Sequence, residues 1–153
     1  MEKQIKPFEY SRRAYFYEMD AMGVMHHSVY LRVCEEARIE WLRSRKLLEY
    51  HGEQANCLFA VVDLKFQYRR PILFDQEMKV KLQTKIEGIR ILFQYQIFID
   101  QNPKESDSEI DTTNPVVIAQ TVHAPVGKNL RPRRLPQPIL DVLRRENWQE
   151  SWL

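Results

Sequence analysis

At 153 residues, with 44% hydrophobic and 29% charged side chains, the chain has the size and composition of one globular domain able to bury a core, not of a disordered segment. A formal charge of +2, from 23 Lys and Arg against 21 Asp and Glu, gives no ground for a nucleic-acid partner, although Lys128 to Arg134 is locally basic. No run of roughly 18 apolar residues is present to span a bilayer, so no transmembrane segment is expected. The start Met1-Glu2-Lys3-Gln4-Ile5-Lys6 lacks the apolar stretch of a secretion signal, which points to the cytoplasm. The two cysteines, Cys34 and Cys57, have no metal-type spacing and suggest no disulfide framework.

The first predicted element is a strand over Tyr10 to Asp20, read from its aromatics Tyr10, Tyr15, Phe16 and Tyr17. From Ser28 to Tyr50 the period becomes helical, with Tyr30, Cys34, Ala37, Trp41 and Leu48 recurring on one stripe. Ser28 is the expected N-cap and Gly52 the expected stop. A helix of that kind, about 20 residues long, spans roughly 30 Å, enough to cross a small domain. Strands are expected over Leu58 to Tyr68, Gln76 to Glu87, Arg90 to Asp100 and Val116 to Ala124, with Gly88 supplying a tight turn. The second of these has Met78, Val80, Leu82, Thr84 and Ile86 on one face against a charged face. Gln101 to Pro115 reads as a long polar hairpin loop, and a short amphipathic helix is expected after Pro138 through Leu140, Leu143 and Trp148. One strand, one long helix and four more strands make a single α+β domain in which an antiparallel sheet wraps the helix.

Asp20-Ala21-Met22-Gly23-Val24-Met25-His26-His27 runs straight into the helix. That order sets a carboxylate beside a glycine turn and the free N–H donors of a helix start, a useful arrangement for attacking a carbonyl and holding the resulting oxyanion. Asp20 can act as nucleophile or as general base on water. Its bland reading is a cap on the turn into the helix. Gly23 answers to a positive φ or to close approach of substrate, and Val24 continues that turn. His26 reads as pocket lining or packing, and the His27 side chain as a positioning group or part of the helix entry. Two adjacent histidines with side chains pointing apart, and no third ligand, are not a metal site. Tyr30 lies on the apolar stripe, where packing competes with substrate contact. Glu35 and Glu36 offer a second carboxylate or a charged helix face.

The run from Arg13 to Arg43 resembles the 4-hydroxybenzoyl-CoA thioesterase family of hotdog-fold enzymes, and is most similar to the short acyl-CoA thioesterases associated with the Tol-Pal system. Val62-Asp63-Leu64-Lys65-Phe66, Arg70-Pro71, Phe74-Asp75, Gln120-Thr121-Val122-His123 and Lys128 to Pro136 agree in order. The resemblance implies a five-stranded antiparallel sheet curled around one long central helix, paired as homo-dimers or dimers of dimers with active sites at the subunit interface. It implies a catalytic aspartate at Asp20 and a backbone N–H at His27 that polarises the thioester carbonyl. Gly23, Val24, His26 and Tyr30 then line the substrate and oxyanion site, and Arg90, Lys128 and Arg131 are the expected contacts to CoA. The chain departs from the family at Met19, where threonine or cysteine is usual, and at His26, where tyrosine or phenylalanine is usual. The expected reaction is hydrolysis of an aromatic or short-to-medium acyl-CoA to acid and free CoA, with no metal and no organic cofactor. An acyl-carrier-protein thioester is the alternative substrate, and a non-catalytic module for acyl carrier protein or a membrane-associated enzyme is the alternative role. A hotdog hydratase would need an Asp-x-Asn-Pro-Leu-His string, which this chain lacks.

Overall fold

A computed structural model of the chain describes residues 7–101 and 109–153. Strands β1 (Phe8–Arg13), β2 (Leu58–Tyr68), β3 (Glu77–Glu87), β4 (Arg90–Ile99) and β5 (Val117–Val126) form one antiparallel sheet in the order β1-β3-β4-β5-β2. Helix α1 (Val29–Ser44) precedes β2, and α2 (Gln137–Arg145) follows β5. The period-2 alternation of β3 is realised as expected: Met78, Val80, Leu82 and Thr84 are buried, and Gly88 turns the β3–β4 hairpin at φ +61°.

Tyr30, Val33, Cys34, Ala37, Trp41 and Leu42 of α1 join the inward residues of β3, β4 and β5, and Ile139 and Leu143 of α2, in one apolar core. The helix is shorter than its apolar stripe suggests. It has 16 residues and ends at Ser44, and Leu48 falls instead in a 3-10 turn, Leu48–Tyr50. The stop is not Gly52 but Lys46, at φ +57°. Lys46 N–H bonds the Arg43 carbonyl at 3.1 Å and Leu47 N–H the Leu42 carbonyl at 2.8 Å, the paired bonds of a Schellman turn, with Leu42 and Leu47 both buried beneath it. Lysine occupies the left-handed position usually held by glycine, which is why the end was illegible from composition.

The first strand is also displaced. It ends at Arg13, where Ala14 N–H bonds the Gln76 carbonyl, and Phe16–Glu18 forms a 3-10 turn. Tyr15, Phe16 and Tyr17 are exposed, so the aromatic run that suggested a strand belongs to a surface turn. Trp148, expected within the last helix, lies beyond its end with its ring 4.5 Å from the Lys85 ammonium. Of the expected Gln101 to Pro115 loop, residues 102–108 lie outside the described residues; Asp100 and Ile110 are joined by a single bridge.

Candidate active site

The Asp20 segment is a tight hairpin. Met19 bridges Met25, Asp20 N–H bonds the Val24 carbonyl at 2.8 Å, and Gly23 N–H returns to the Asp20 carbonyl at 3.0 Å. Gly23 takes φ +78°, the left-handed conformation that a residue without Cβ adopts most cheaply. The Asp20 carboxylate is held inside this turn: Oδ1 accepts the Met22 N–H at 2.8 Å and the Val24 N–H at 3.4 Å. Among the described residues no donor reaches Oδ2, which leaves one carboxylate oxygen for chemistry. The capping role considered for Asp20 is therefore real, but it caps its own turn and not α1.

The hairpin leads into α1 through two histidines. His26 N–H bonds the Glu18 carbonyl at 2.9 Å, and Met25 N–H bonds the Ile72 carbonyl at 2.8 Å. The His26 carbonyl accepts the Val29 N–H at 2.9 Å, so it faces the first turn of the helix. A trans peptide holds its C=O and N–H in opposite directions, and the His27 N–H accordingly faces away from α1. It has no acceptor among the described residues. His27 directly precedes the N-cap Ser28, so this unpaired donor lies near the positive end of the α1 dipole, which favours a developing negative charge.

Ser28 occupies the N-cap position, but its side chain caps nothing. Instead the His26 Nδ1 accepts the Ser28 N–H at 3.2 Å and lies 2.8 Å from Ser28 Oγ. The two histidine rings were expected to point apart; their centroids are 4.1 Å apart at a tilt of 31°. A turn, unlike a strand, does not alternate its side chains. Among the described residues no three His, Cys, Asp or Glu side chains are placed to hold a metal ion.

Asp20, Val24, His27 and Tyr30 share one open cleft of about 350 Å³ with Met22, Met25 and residues from the far end of β2. Gly23 shapes the hairpin without lining the cleft, and His26 faces Ser28. The residues that sequence reasoning missed are Tyr68, Arg69 and Arg70. Tyr68 packs edge-on against Tyr30, 5.1 Å between centroids, and its hydroxyl lies 3.4 Å from the His27 carbonyl oxygen. Arg70 donates to the Asn114 carbonyl at 2.7 Å beside the cleft. The one available signal was Arg70-Pro71 at the end of a predicted strand, where proline forces the chain off the sheet. Burial raises the Tyr30 pKa, a backbone hydrogen bond at Ile72 opposes the rise, and Tyr68 and Asp20 add to it. Tyr30 is thus a neutral phenol near physiological pH, facing a carboxylate.

Within one chain the expected CoA contacts lie elsewhere. Tyr68 registers with Val117 and Ile97, whereas Arg90 adjoins Ile91 at the opposite end of β4, roughly 20 Å along the strand at about 3.3 Å per residue. Lys128 and Arg131 follow Val126, which pairs with Leu58 at the other end of β2. Glu36 does not reach the cleft; it meets Tyr10 and Arg12 of β1. Cys34 is fully buried with its thiol pushed up to about 12 by burial, and Cys57 is buried and free, so neither is a nucleophile here.

Residues 15–144 match the model of the thioesterase-like superfamily. A protein of Aquifex aeolicus is 32% identical over 139 residues, covering 90% of this chain and 98% of the relative. The acyl-CoA thioester hydrolase YbgC of Escherichia coli is 25% identical over 134 residues, covering 87% of this chain and 92% of its own. A solved 1,4-dihydroxy-2-naphthoyl-CoA thioesterase from Synechocystis shares the fold, with a TM-score of 0.71 at 22% identity and coverage of 90% and 95%. A five-stranded antiparallel sheet with its helix, a match over most of the chain and acyl-CoA hydrolases among the relatives lead to one conclusion: the chain belongs to the thioesterase-like superfamily of hotdog proteins and is a thioester hydrolase.

Proposed function

We propose that the protein hydrolyses an aromatic or short-to-medium acyl-CoA, with Asp20 as nucleophile or general base and the His27 N–H as oxyanion donor. One observation carries the reading: a carboxylate with one oxygen tied by two backbone donors and one oxygen free shares a cleft with an unused helix-start N–H. As a base, Asp20 takes a proton from water, the hydroxide adds to the thioester carbonyl, and the oxyanion forms against the His27 N–H. Collapse breaks the C–S bond, and the proton returns to the departing thiolate. As a nucleophile, Asp20 adds to the same carbonyl, collapse expels the CoA thiolate and leaves a mixed anhydride, and water cleaves that anhydride to the free acid and the Asp20 carboxylate, its proton going to the thiolate. Met22, Val24, Tyr30 and Tyr68 supply apolar and aromatic walls for the acyl group, and the naphthoyl thioester handled by the Synechocystis relative is one such group.

The same reading takes the protein as a cytoplasmic homodimer, or a dimer of dimers, of the 4-hydroxybenzoyl-CoA and Tol-Pal-associated type, its sheet curled around α1. Edge strand β2 exposes Val61, Val62 and Leu64 on both faces. A two-fold antiparallel pairing of β2 with a second copy sets the start of one β2 beside the end of the other. The partner's Lys128 and Arg131 then approach this chain's cleft, next to Arg69 and Arg70, where the phosphates of CoA need cations.

The test is thiol release from a panel of acyl-CoA and acyl-carrier thioesters by native protein and by Asp20→Asn. Native turnover of at least one thioester with a hundredfold or greater loss in the folded variant, about 2.7 kcal/mol, supports the reading. Equal rates for the two proteins on every substrate overturn it.

A further inference from the structure

Glu18 and Arg12 are almost fully buried, with side chains 8% and 6% exposed, and the reaction has no direct use for either. Arg12 Nη2 pairs with Glu18 Oε1, and the same oxygen accepts the Tyr15 N–H at 2.8 Å. The Glu18 main chain meanwhile gives its carbonyl to His26 N–H. One residue thus ties the first arm of the Asp20 hairpin to β1 by its side chain and to the second arm by its backbone. Arg12 Nη1, which makes no hydrogen bond among the described residues, stands 3.6 Å from Glu36 Oε2 on α1 as an ion pair, and Tyr10 OH donates to the same carboxylate at 3.2 Å. Its guanidinium lies over the Tyr15 ring at 4.8 Å.

We propose that Arg12 is a positioning residue that sets the separation of the Asp20 carboxylate from the His27 N–H, by gripping Glu18 on the carboxylate's arm and Glu36 on the helix that carries the donor. The inference rests on the reading of Asp20 and His27 as the reacting pair. The two groups lie on different arms, and among the described residues three backbone bonds, at Glu18, Asp20 and Gly23, join those arms within the turn. The planar guanidinium directs a hydrogen bond at Glu18 while its other nitrogen brings the charge to Glu36, an arrangement that an ammonium on a flexible stem does not reproduce. Burial makes the grip rigid and also makes removal of one partner alone hazardous, because it strands the other charge.

The informative variant is the double replacement Arg12→Met with Glu18→Gln, which strands no buried charge and leaves an amide oxygen for the Tyr15 N–H. Arg12→Lys is the companion that keeps the charge and loses the fork. For each, kcat and KM are measured on the best native substrate, and amide exchange is followed by NMR. The expected result is a fall in kcat of tenfold or more in both, with KM within threefold. His26 and Val24 amides exchange at least tenfold faster while those of Val33 and Ala37 in mid-α1 do not change. Unchanged kcat, or unchanged exchange at His26, overturns the proposal. So does a uniform rise in exchange across α1, which would make the pair a general stabiliser. If native protein turns over no thioester, the reading of Asp20 fails, and exchange at His26 and Val24 still decides whether Arg12 holds the hairpin.

Discussion

The imidazole of His26 accepts the backbone N–H of Ser28, and in doing so replaces the serine side chain as the device that shapes the entry to α1. A backbone N–H can only donate, so Nδ1 is the acceptor and Nε2 carries the proton. The contact is a short-range, partly solvated hydrogen bond worth about 1 kcal/mol. His26→Leu is expected to lower unfolding stability by that amount. His26→Asn, whose side-chain oxygen makes the same i to i+2 turn, retains most of it. Urea denaturation of the two variants checks this, and equal losses would show that the ring packs and does not bond.

His27 contributes through its main chain, so its side chain is a poor probe. His27→Ala is expected to keep kcat within about tenfold of native. Replacing the 26–27 amide by an ester, through incorporation of the α-hydroxy analogue of the residue, deletes the N–H and weakens the His26 carbonyl that accepts the Val29 N–H, so the melting temperature of the variant is measured beside its kcat. Removal of one oxyanion donor costs about 2.7–4 kcal/mol in other hydrolases, equivalent to a loss of about a hundredfold to a thousandfold in kcat. Steady-state thiol release reads both variants. An ester variant as active as native protein would remove His27 from the mechanism.

The parts of this protein legible in its sequence are those whose determinants are contiguous. Strand β3 is readable because a half-buried strand must alternate, as Met78, Val80 and Leu82 do, whereas β4 alternates in sequence yet is buried on both faces. The Asp20 hairpin is readable because carboxylate, glycine and helix start lie within ten residues. Boundaries set by particular bonds are not. Lys46 ends α1 through a left-handed turn that its side chain does not advertise, and Glu18 ends the first strand region by capturing Tyr15 N–H. Tyr68, Arg69 and Arg70 reach the cleft only because β2 delivers them there and the hairpin docks on Ile72, a relation across more than 40 residues of chain that no local pattern contains.

Gly23 separates backbone conformation from space. An added Cβ there meets no atom within 4 Å, so the cost of Gly23→Ala is conformational, about 1–2 kcal/mol for a left-handed L-residue. Relief of that strain rotates the turn whose N–H groups hold the Asp20 carboxylate. The expected outcome is a modest fall in melting temperature with a clear loss of kcat and little change in KM. Unchanged kcat at reduced stability would mean the carboxylate tolerates a shifted turn.

A buried relay of hydrogen bonds links α1 to β4, β5 and β2 away from the cleft. Arg38 Nη1 donates to Tyr95 OH at 3.1 Å, Tyr95 and Thr121 hydroxyls are 2.8 Å apart, and Thr121 Oγ1 is 2.8 Å from His123 Nε2. The His123 Nδ1 lies 3.3 Å from the Phe59 carbonyl oxygen. A carbonyl only accepts, so Nδ1 carries the proton and Nε2 receives the Thr121 hydroxyl; every donor in the chain is then satisfied with His123 neutral. Burial, followed by the Arg38 charge, lowers the His123 pKa from 6.5 to about 4, and His51 pushes the same way against the Phe59 contact. The unfolded chain binds a proton here below pH 6.5 that the folded chain refuses until near pH 4. Stability from this group is therefore complete above pH 6.5 and is lost as pH falls toward 4, by roughly 3 kcal/mol over the window. His123→Asn removes the titration at some cost in packing at neutral pH. Urea midpoints at pH 7.0, 5.5 and 4.5 are expected to fall more steeply for native protein than for the variant. Parallel slopes would show that His123 takes up its proton at the same pH folded and unfolded, and the buried relay would not be what excludes it.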